Sequence, residues 1–476
     1  MTHQTLSAMR ETQVSSARLT AGELAARIDR LPATLSIWSL VLLLSLGAYF
    51  EFYELFSTAY VLPGIIKSGV LSATTEGFFA FNGAASYIAA TFLGLLIGVL
   101  AFGSVADRLG RRSVFTVALL WYSVSAVCMA FQHEAVGLNF WRLMTGIGLG
   151  VELVTIDAYL SELVPARIRG RAFAVSTVIS YLAVPSVALV AWLLVPRDVL
   201  GLEGWRVVIL LGGAGALLVW LLRLGLPESP RWLASHGQLE QATAVVERME
   251  AKALQQSGHS LPIPQPPRAV AVGERASFRE IWQTPYRRRT VMLVIFHAAQ
   301  AIGLYGFSNW MPTFLVHRGV GLSSSLEYGL MVSFVAPLGP LLAVSFADRV
   351  ERKWLIVAAA LVMSVAGVMF INLDSGLAIL ITGALLTLCG TLISLGFHAY
   401  QAELYPTRSR AMAIGFVYSI SRVSGALSGF LIAACLKYAG VPGAVGLIVG
   451  CMLIVALSIG LLGPRTAGRS LEDISR

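Results

Sequence analysis

The chain has 476 residues, of which 56% are hydrophobic and only 13% charged, and its mean hydropathy is +0.74. A soluble domain keeps about a quarter of its residues charged, so the composition excludes an ordinary water-facing globular protein. The formal net charge of +9 does not indicate nucleic-acid binding, because the basic residues are dispersed between apolar runs. We therefore expect a multi-pass protein of the cell membrane, whose partners are the lipid bilayer and small molecules.

In chain order, the first feature is a polar segment, 1–35, where Thr20-Ala-Gly-Glu23 has the form of a capping box. It predicts a short amphipathic helix that ends near Pro32 and lies on the cytoplasmic membrane face; the alternative is a partly disordered tail. Twelve apolar runs follow, each long enough to cross about 30 Å of hydrocarbon. They lie near 36–62, 80–104, 113–132, 139–162, 170–195, 205–225, 290–315, 326–347, 354–372, 376–401, 411–436 and 442–463.

A polar segment at 227–288 divides these runs into two sets of six. The sequence thus predicts an all-α membrane protein with twelve transmembrane helices in two bundles, 36–226 and 289–463. A polar tail at 464–476 closes the chain. Lysine and arginine accumulate in the connections from even-numbered to odd-numbered helices, in the central segment and in both tails. Because cytoplasmic loops carry the excess of these residues, both termini are predicted to be cytoplasmic.

An internal repeat supports the two-bundle arrangement. Ala106-Asp107-Arg108 recurs as Ala347-Asp348-Arg349, at an offset of 347 − 106 = 241 residues. The pattern that starts at Ala158-Tyr159 recurs at Ala399-Tyr400, again at 399 − 158 = 241. Two separate motifs with one displacement indicate duplication of a six-helix unit. Such repeats place a substrate site between the halves near the bilayer midplane.

Three motifs resemble those of the major facilitator superfamily. The run from Gly103 to Arg112 is similar to its signature loop, and Arg142-Leu-Met-Thr-Gly-Ile-Gly-Leu-Gly150 is similar to its second motif. Pro227-Glu-Ser-Pro-Arg-Trp-Leu233 resembles the sugar-porter branch and its metabolite:proton symporter relatives. The resemblance implies a secondary transporter that works by alternating access and acts as a monomer.

The charged loop motifs are predicted to form a cytoplasmic gate. Asp107 is expected to pair with the arginines beside it, Glu162 with Arg167 or Arg169, and Glu403 with Arg408 or Arg410. Such clusters would tie the halves together on the inside in the outward-facing state; the alternative is simple anchoring of basic loops. The predicted gate residues are Asp107, Arg108, Arg111, Glu162, Arg167, Arg169, Asp348, Arg349, Glu403, Arg408 and Arg410.

A second resemblance narrows the substrate. Glu51-Phe-Tyr-Glu54 on the first helix is similar to the Asp-Gly-Tyr-Asp element of aromatic-acid:proton symporters, with both acids one methylene longer. Leu404-Tyr-Pro-Thr-Arg408 and Ser421-Arg422 also resemble that group. The seventh helix carries Gln300 but lacks the paired glutamines of sugar porters, and the fifth helix lacks their sugar-binding glutamine. The resemblance therefore favours an organic acid over a sugar.

Charged residues inside apolar runs are functional candidates, because an unpaired charge costs several kcal/mol in hydrocarbon. Arg422 is predicted to bind a substrate carboxylate; the alternative is a permanent ion pair with Glu51, Glu54 or Asp157. Proton coupling is assigned to Glu51, Glu54, Glu152 and Asp157, with Arg142 linking protonation to conformational change. Asp157 and His398 are equivalent in the repeat (398 − 157 = 241).

The remaining substrate-binding candidates are Tyr53, Gln300, Tyr305 and Asn309. We expect proton-coupled symport of a small organic carboxylate, with the proton as coupling ion and neither cofactor nor metal. The alternatives are a sugar or polyol transporter, a drug exporter, or a transporter-like nutrient sensor. An enzyme is not expected, because the sequence shows no nucleophile–base constellation, metal-ligand spacing or phosphate-binding loop.

Overall fold

The computed structural model describes residues 22–73, 79–264, 277–346, 350–373 and 375–466. Within these ranges the molecule is almost entirely helical. The helices are α1 (22–29), α2 (Leu35–Lys67), α3 (Ala84–Leu109), α4 (Arg111–Ala130), α5 (Ala135–Leu163), α6 (Ala166–Leu194), α7 (Gly204–Arg223), α8 (Pro230–Ser235), α9 (Leu239–Ser257), α10 (Tyr286–His317), α11 (Leu322–Ser333), α12 (Leu338–Phe346), α13 (Arg352–Asn372), α14 (Gly376–Glu403) and α15 (Thr407–Leu462).

Eleven helical stretches of the described chain are long and apolar enough to span a bilayer. One of them combines α11 and α12, which are separated by a short break at Pro337, where proline cannot continue the helical hydrogen bonding. The last stretch is 55 residues long, about twice the length that a single crossing needs. Its backbone breaks at Gly440, where φ is 64° and ψ −164°, and Pro442 follows directly.

The two ends of the helical bundle carry different connections. A two-stranded antiparallel hairpin, β1 (Asp198–Val199) and β2 (Leu202–Glu203), joins α6 to α7 at one end, which we call the hairpin face. The opposite end carries α1, α8, α9 and a short 3₁₀ helix, Phe278–Trp282, and we call it the linker face. The charged loop motifs of the sequence lie at the linker face.

Glycines allow α3 and α5 to pack backbone to backbone. A Cβ on Gly94 would lie 2.5 Å from the Leu143 carbonyl oxygen, and one on Gly146 would lie 2.6 Å from the Thr91 carbonyl oxygen. Only glycine tolerates these approaches. The close packing fixes the rotation of α5, and with it the direction of the charged side chains that α5 carries into the first half.

The two halves of the molecule meet along the hairpin-face part of the bundle. Gly425 and Gly429 of α15 contact α3, where a Cβ on Gly429 would lie 2.8 Å from the Ala85 carbonyl oxygen. Phe79 and Phe430 pack edge to face with ring centroids 5.3 Å apart. These contacts close the hairpin face.

The linker-face helices α1 and α9 are attached to the first half. Glu250 of α9 accepts hydrogen bonds from Arg27 at 2.7 Å and from Arg30 at 2.6 Å. Burial by itself would raise the pKa of Glu250, but the hydrogen bonds from the two guanidinium groups outweigh it and lower that pKa below its ordinary value. On the other side of α1, Asp29 accepts a hydrogen bond from the Ala166 amide at the start of α6. A helix at 22–29 thus lies within the segment predicted to form an amphipathic helix, and Thr20 of the predicted capping box lies outside the described residues.

Candidate functional site

A cavity of about 360 Å³ lies between the two halves. Helices α2, α5 and α6 form one wall, and α10, α11, α14 and α15 form the other. Asp157 and His398, one to two turns from the linker-face ends of α5 and α14, line it with exposed side chains. The cavity therefore opens towards the linker face, and its size is that of a small-molecule site.

Arg422 of α15 places a guanidinium in the cavity wall. The side chain is buried, and its Nη2 donates to the Tyr418 hydroxyl at 3.1 Å while the guanidinium lies 4.7 Å from the centre of that ring. Its Nε has no hydrogen-bond partner in the described structure. Among the described cavity-lining residues, Arg422 is the one arginine or lysine. Tyr305, also predicted to bind substrate, lines the same wall.

Glu51 of α2 faces Arg422 from the other half of the molecule. It lines the cavity, yet its side chain is only 2% exposed, and its Oε1 has no hydrogen-bond partner among the described residues. Within the described chain, Glu51 forms no ion pair of 4.0 Å or less. A buried carboxylate without a cationic contact is stable only when protonated or when a counter-charge arrives.

Asp157 and His398, which are equivalent in the internal repeat, line the cavity from opposite halves. The His398 ring stacks on Phe397 with centroids 4.1 Å apart, and its Nδ1 lies 2.6 Å from the Ser394 carbonyl oxygen. That contact requires a proton on Nδ1, which leaves Nε2 to face the cavity. The repeat therefore brings two titratable side chains of opposite charge type into one site.

Glu54 forms an ion pair with Arg142 in the interior of the first half. Arg142 Nη1 lies 2.5 Å from Glu54 Oε1, and neither side chain is more than 1% exposed. Arg142 also donates to Thr91 and Thr58 and lies 4.8 Å from the centre of the Tyr87 ring. Neither Glu54 nor Arg142 lines the cavity, so this pair is a buried neighbour of the site.

A second buried ion pair joins Glu152 to Arg223, with Arg223 Nη1 2.8 Å from Glu152 Oε1. Arg223 ends α7 at the linker face, but its side chain turns back into the bundle and lies 3.8 Å from the centre of the Phe115 ring. The sequence reasoning missed Arg223. The available signal was its position inside the apolar run 205–225, where a charge needs a partner.

Three residues predicted to bind substrate lie elsewhere. Tyr53 is buried against α7, where its hydroxyl donates to the Val208 carbonyl oxygen at 3.1 Å. Gln300 and Asn309 are also buried, and neither lines the cavity. Their predicted role in substrate binding therefore stays a prediction that this cavity does not support. Of the three candidates on α10, Gln300, Tyr305 and Asn309, Tyr305 is the one that lines the cavity.

The predicted pairings at the linker face also require correction. Glu162 pairs with Arg111 at 3.5 Å, and Glu403 pairs with Arg352 at 2.9 Å. These two ion pairs are equivalent in the repeat, because 352 − 111 and 403 − 162 both equal 241. Each one joins two helices of the same half, so neither ties the halves together.

The arginines predicted to partner those glutamates have other contacts. Arg169 pairs with Asp29 at 3.3 Å, and Arg408 pairs with Glu280 of the 3₁₀ helix at 2.7 Å. Arg410 Nε donates to the Tyr405 carbonyl oxygen at 3.3 Å. Arg108 and Arg167 are exposed at the linker face. The side chain of Asp107 and the residues Asp348 and Arg349 lie outside the described part of the chain.

Comparison with known proteins identifies a family model and several relatives that match this chain. A family model described as "Sugar (and other) transporter" matches residues 82–476. The inner membrane metabolite transport protein YdjE of Escherichia coli (strain K12) is 28% identical over 459 residues, covering 95% of this chain and 98% of YdjE. The niacin transporter NiaP of Acinetobacter baylyi is 26% identical over 457 residues, covering 95% and 99% of the two chains.

A third relative is the benzoate transport protein of Acinetobacter baylyi, 25% identical over 405 residues and covering 83% of this chain and 82% of its own. Among solved structures, the partially occluded inward-open conformation of the xylose transporter XylE from E. coli superposes with a TM-score of 0.72. It covers 91% of this chain and 99% of its own, at 20% sequence identity. That likeness shows a shared multi-span helical fold.

Proposed function

The chain belongs to the family of sugar and other transporters, and from that premise we propose that it is a proton-coupled symporter of a small organic carboxylate, with aromatic acids as the leading class. It is a multi-pass inner-membrane transporter of metabolites and not an enzyme. The proposal concerns the substrate, the coupling ion and the residues that bind each of them.

The substrate assignment rests on Arg422, whose guanidinium lies in the cavity wall and forms no ion pair with a carboxylate of the described residues. Of the three acidic residues buried in the described chain, Glu54 and Glu152 are each paired with a different arginine, and Glu51 faces Arg422 without an ion pair. A buried cation needs an anion. A substrate carboxylate fits this need, because a guanidinium can donate two parallel hydrogen bonds to it.

The rest of the cavity favours a flat, apolar body on the substrate. Aromatic side chains line both walls, and Phe52 and Tyr181 pack edge to face with ring centroids 5.1 Å apart. Tyr305 and Tyr418 lie on the same wall as Arg422. An aromatic ring can pack against such faces at little conformational cost. The names of the benzoate and niacin relatives agree with this class of substrate.

Glu51 is the proposed proton carrier. The Arg142 and Arg223 guanidinium groups already neutralise Glu54 and Glu152, so Glu51 is the carboxylate of this buried group that has no cationic contact. Protonation removes the cost of its charge. A proton on Glu51 together with a substrate anion on Arg422 leaves neither of these two buried groups with an uncompensated charge, and the loaded protein can then change access.

The proposed topology has twelve crossings, with the last 55-residue stretch counted as two helices that meet at the Gly440 break. We assign the linker face to the cytoplasm, because its basic loops follow the positive-inside rule. Both termini are then cytoplasmic. The assigned parts are a tail at 1–35, bundles at 36–226 and 289–463, a linker at 227–288 and a tail at 464–476. We propose that the transporter is a monomer.

The charged loop motifs are assigned to the stability of this cytoplasmic face. The Arg111–Glu162 and Arg352–Glu403 pairs each hold two helices of one half together at equivalent positions. Each half can then rock as a rigid unit while contacts between the halves change. In this role the gate residues keep the shape of each half, and the halves separate at the linker face when the hairpin face is closed.

The experiment is uptake into proteoliposomes with an inward proton gradient, using labelled benzoate, nicotinate and xylose, with protein-free liposomes to measure passive leak. We expect protein-dependent uptake of at least one carboxylate and none of xylose, with loss of uptake in Arg422→Ala. Arg422→Lys is the matched control, which keeps the charge but not the paired donors. Uptake of xylose alone, or normal uptake by Arg422→Ala, contradicts the proposal.

A Glu51→Gln variant tests the coupling ion separately. Glutamine has the shape of a protonated glutamate, so the variant should exchange labelled for unlabelled substrate across the membrane at close to the normal rate. Net accumulation against a gradient should disappear, because no proton can be released. If Glu51→Gln accumulates substrate as the wild-type protein does, the proton is carried elsewhere.

A further inference from the structure

Arg223 has more donors than its present contacts use. Nη1 donates to Glu152 Oε1 at 2.8 Å, and Nη2 donates to the Leu44 carbonyl oxygen of α2 at 3.1 Å. Nε has no hydrogen-bond partner within the described structure, and neither has Oε2 of Glu152. A guanidinium has five N–H donors. A fully buried cation that leaves donors unused is arranged for more than one set of partners.

The Arg223 guanidinium occupies the space that a side chain at position 47 of α2 would fill. A Cβ on Gly47 would lie 1.3 Å from Arg223 Nη2, so the guanidinium rests directly on the α2 backbone at this glycine. Gly47 and Glu51 are four residues apart on α2 and therefore share one helix face. The Glu51 Oε1 atom, one turn further along that face, is buried and unpartnered among the described residues.

Charged and titratable groups surround Glu51 from several helices, among them the Tyr418 hydroxyl of α15. The charges of Glu152, Asp157, Arg422 and Arg223 act on its carboxyl group. Grouped by helix, the other charged and titratable residues near Glu51 are Glu54 of α2, the Tyr122 hydroxyl of α4, Arg142, Glu152 and Asp157 of α5, Arg223 of α7, His398 of α14 and Arg422 of α15. Of the cations, Arg142 is bonded to Glu54, and Arg422 faces the substrate cavity.

We propose that Arg223 is the counter-ion that receives Glu51 when Glu51 loses its proton. Nη2 leaves the Leu44 carbonyl oxygen and moves along α2 past Gly47 to the Glu51 carboxylate, while Nη1 stays on Glu152. The guanidinium then bridges two carboxylates. This inference rests on the proposed function, because it supplies the step in which the proton is released to the linker face.

The bridge from Arg223 to Glu51 explains how the empty transporter can return to the state that accepts the next substrate. After substrate and proton leave, an ionised and unpartnered Glu51 would be costly in the bundle interior. Capture of Arg422 by Glu51 would block the substrate site. A contact from Arg223 stabilises the empty carrier and leaves Arg422 free for the next substrate. Arg223 is in this sense a positioning residue for the proton, and it does not contact substrate.

The test compares exchange with accumulation for Arg223→Gln, Gly47→Ala and the double variant Glu152→Gln/Arg223→Gln, using labelled benzoate and nicotinate. The alanine methyl group displaces Nη2 without changing any charge. The double variant removes the buried pair together, so no unpaired charge is left to prevent folding. Gly225→Ala is the control, because its added methyl meets nothing within 4 Å.

A gradient of about one pH unit supports about tenfold accumulation, since 1.4 kcal/mol corresponds to a factor of ten. The wild-type protein and Gly225→Ala should reach this ratio. Arg223→Gln, Gly47→Ala and the double variant should exchange substrate but accumulate about onefold. Normal accumulation by the folded double variant or by Gly47→Ala overturns the inference. The inference is also overturned if both of these variants lose exchange as well as accumulation. If the wild-type protein itself does not accumulate substrate, the proposed function fails instead.

Discussion

The Glu54–Arg142 ion pair should make a measurable contribution to stability that depends on both charges. Arg142 donates to Glu54 Oε1 at 2.5 Å, to its carbonyl oxygen at 3.1 Å, and to the hydroxyls of Thr91 and Thr58 at 2.7 and 2.5 Å. Both charged side chains are at most 1% exposed. The perturbations are Arg142→Gln, Glu54→Gln and the two together.

The expected magnitude follows from burial. Removing one partner of a buried pair leaves the other charge uncompensated, at a cost of about 3–5 kcal/mol in the free energy of unfolding. Arg142→Gln should approach this cost. Glu54→Gln should cost less, because the arginine keeps its bonds to Thr91, Thr58 and the α2 backbone. The double variant should be less destabilised than the sum of the singles, with a coupling energy of about 1–3 kcal/mol.

The assay is denaturant unfolding of the purified protein in detergent, followed by tryptophan fluorescence for the wild type and the three variants. The coupling energy is then read from the double-mutant cycle. Single costs that add to the double within about 0.5 kcal/mol would refute the reasoning. Additivity of that kind would mean that packing of the two side chains, and not their charges, stabilises this region.

Three further outcomes are expected. Gly429→Val should hold the hairpin face open, because the valine Cβ would lie 2.8 Å from the Ala85 carbonyl oxygen. Labelling of a cysteine introduced near Phe79 should then increase, and unchanged labelling would contradict the closing role of this contact. The ionised Glu250 carboxylate should stabilise the α1–α9 contact fully at pH values above its ordinary pKa of 4.5. That contribution should be lost progressively as the pH falls through the lowered pKa of the folded protein. Limited proteolysis of the α1 region should therefore increase only in acid. Glu250→Gln should show that increase at pH 7 as well, and a variant as resistant as the wild type refutes the contact. Arg352→Gln should lower the free energy of unfolding by the modest amount typical of a partly exposed ion pair, about 1 kcal/mol or less, measured by denaturant unfolding in detergent. A larger loss would mean that Arg352 supports more than Glu403.

The sequence was sufficient to predict an all-helical fold with many membrane spans, because apolar runs of bilayer length have few alternatives. It also identified Glu51, Asp157 and Arg422, since a charge inside such a run is costly and therefore conspicuous. All three line the cavity. The offset of 241 residues relates Asp157 to His398, which both line the cavity, and it also relates the two linker-face ion pairs that were not predicted.

The direction of each side chain could not be predicted. Glu51 and Glu54 share a helix face, but three residues at 3.6 per turn leave them about 60° apart. At the edge of the cavity that angle decides the outcome: Glu51 lines the cavity, whereas Glu54 contacts Arg142 of α5. Tyr53 turns towards α7 for the same reason.

Arg223 was missed because helix-end arginines usually extend to the membrane surface. Its inward turn depends on Gly47, on the Phe115 ring and on Glu152, which come from three other helices. Only tertiary packing brings these together. The partners of Glu162 were wrongly predicted for a similar reason, since nearby arginines in the sequence were preferred over Arg111 across the α4–α5 contact.

The central claim is that Arg422 binds a substrate carboxylate, and equilibrium binding to the purified protein tests it most directly. Calorimetry would compare benzoate with benzamide and nicotinate with nicotinamide, which differ only in the charged group. We predict that a carboxylate binds the wild-type protein, that its amide does not, and that Arg422→Ala weakens binding by about tenfold or more, the effect of losing a charge-assisted hydrogen bond of about 1.5–3 kcal/mol. Equal binding of carboxylate and amide, or undiminished carboxylate binding to Arg422→Ala, would contradict the account.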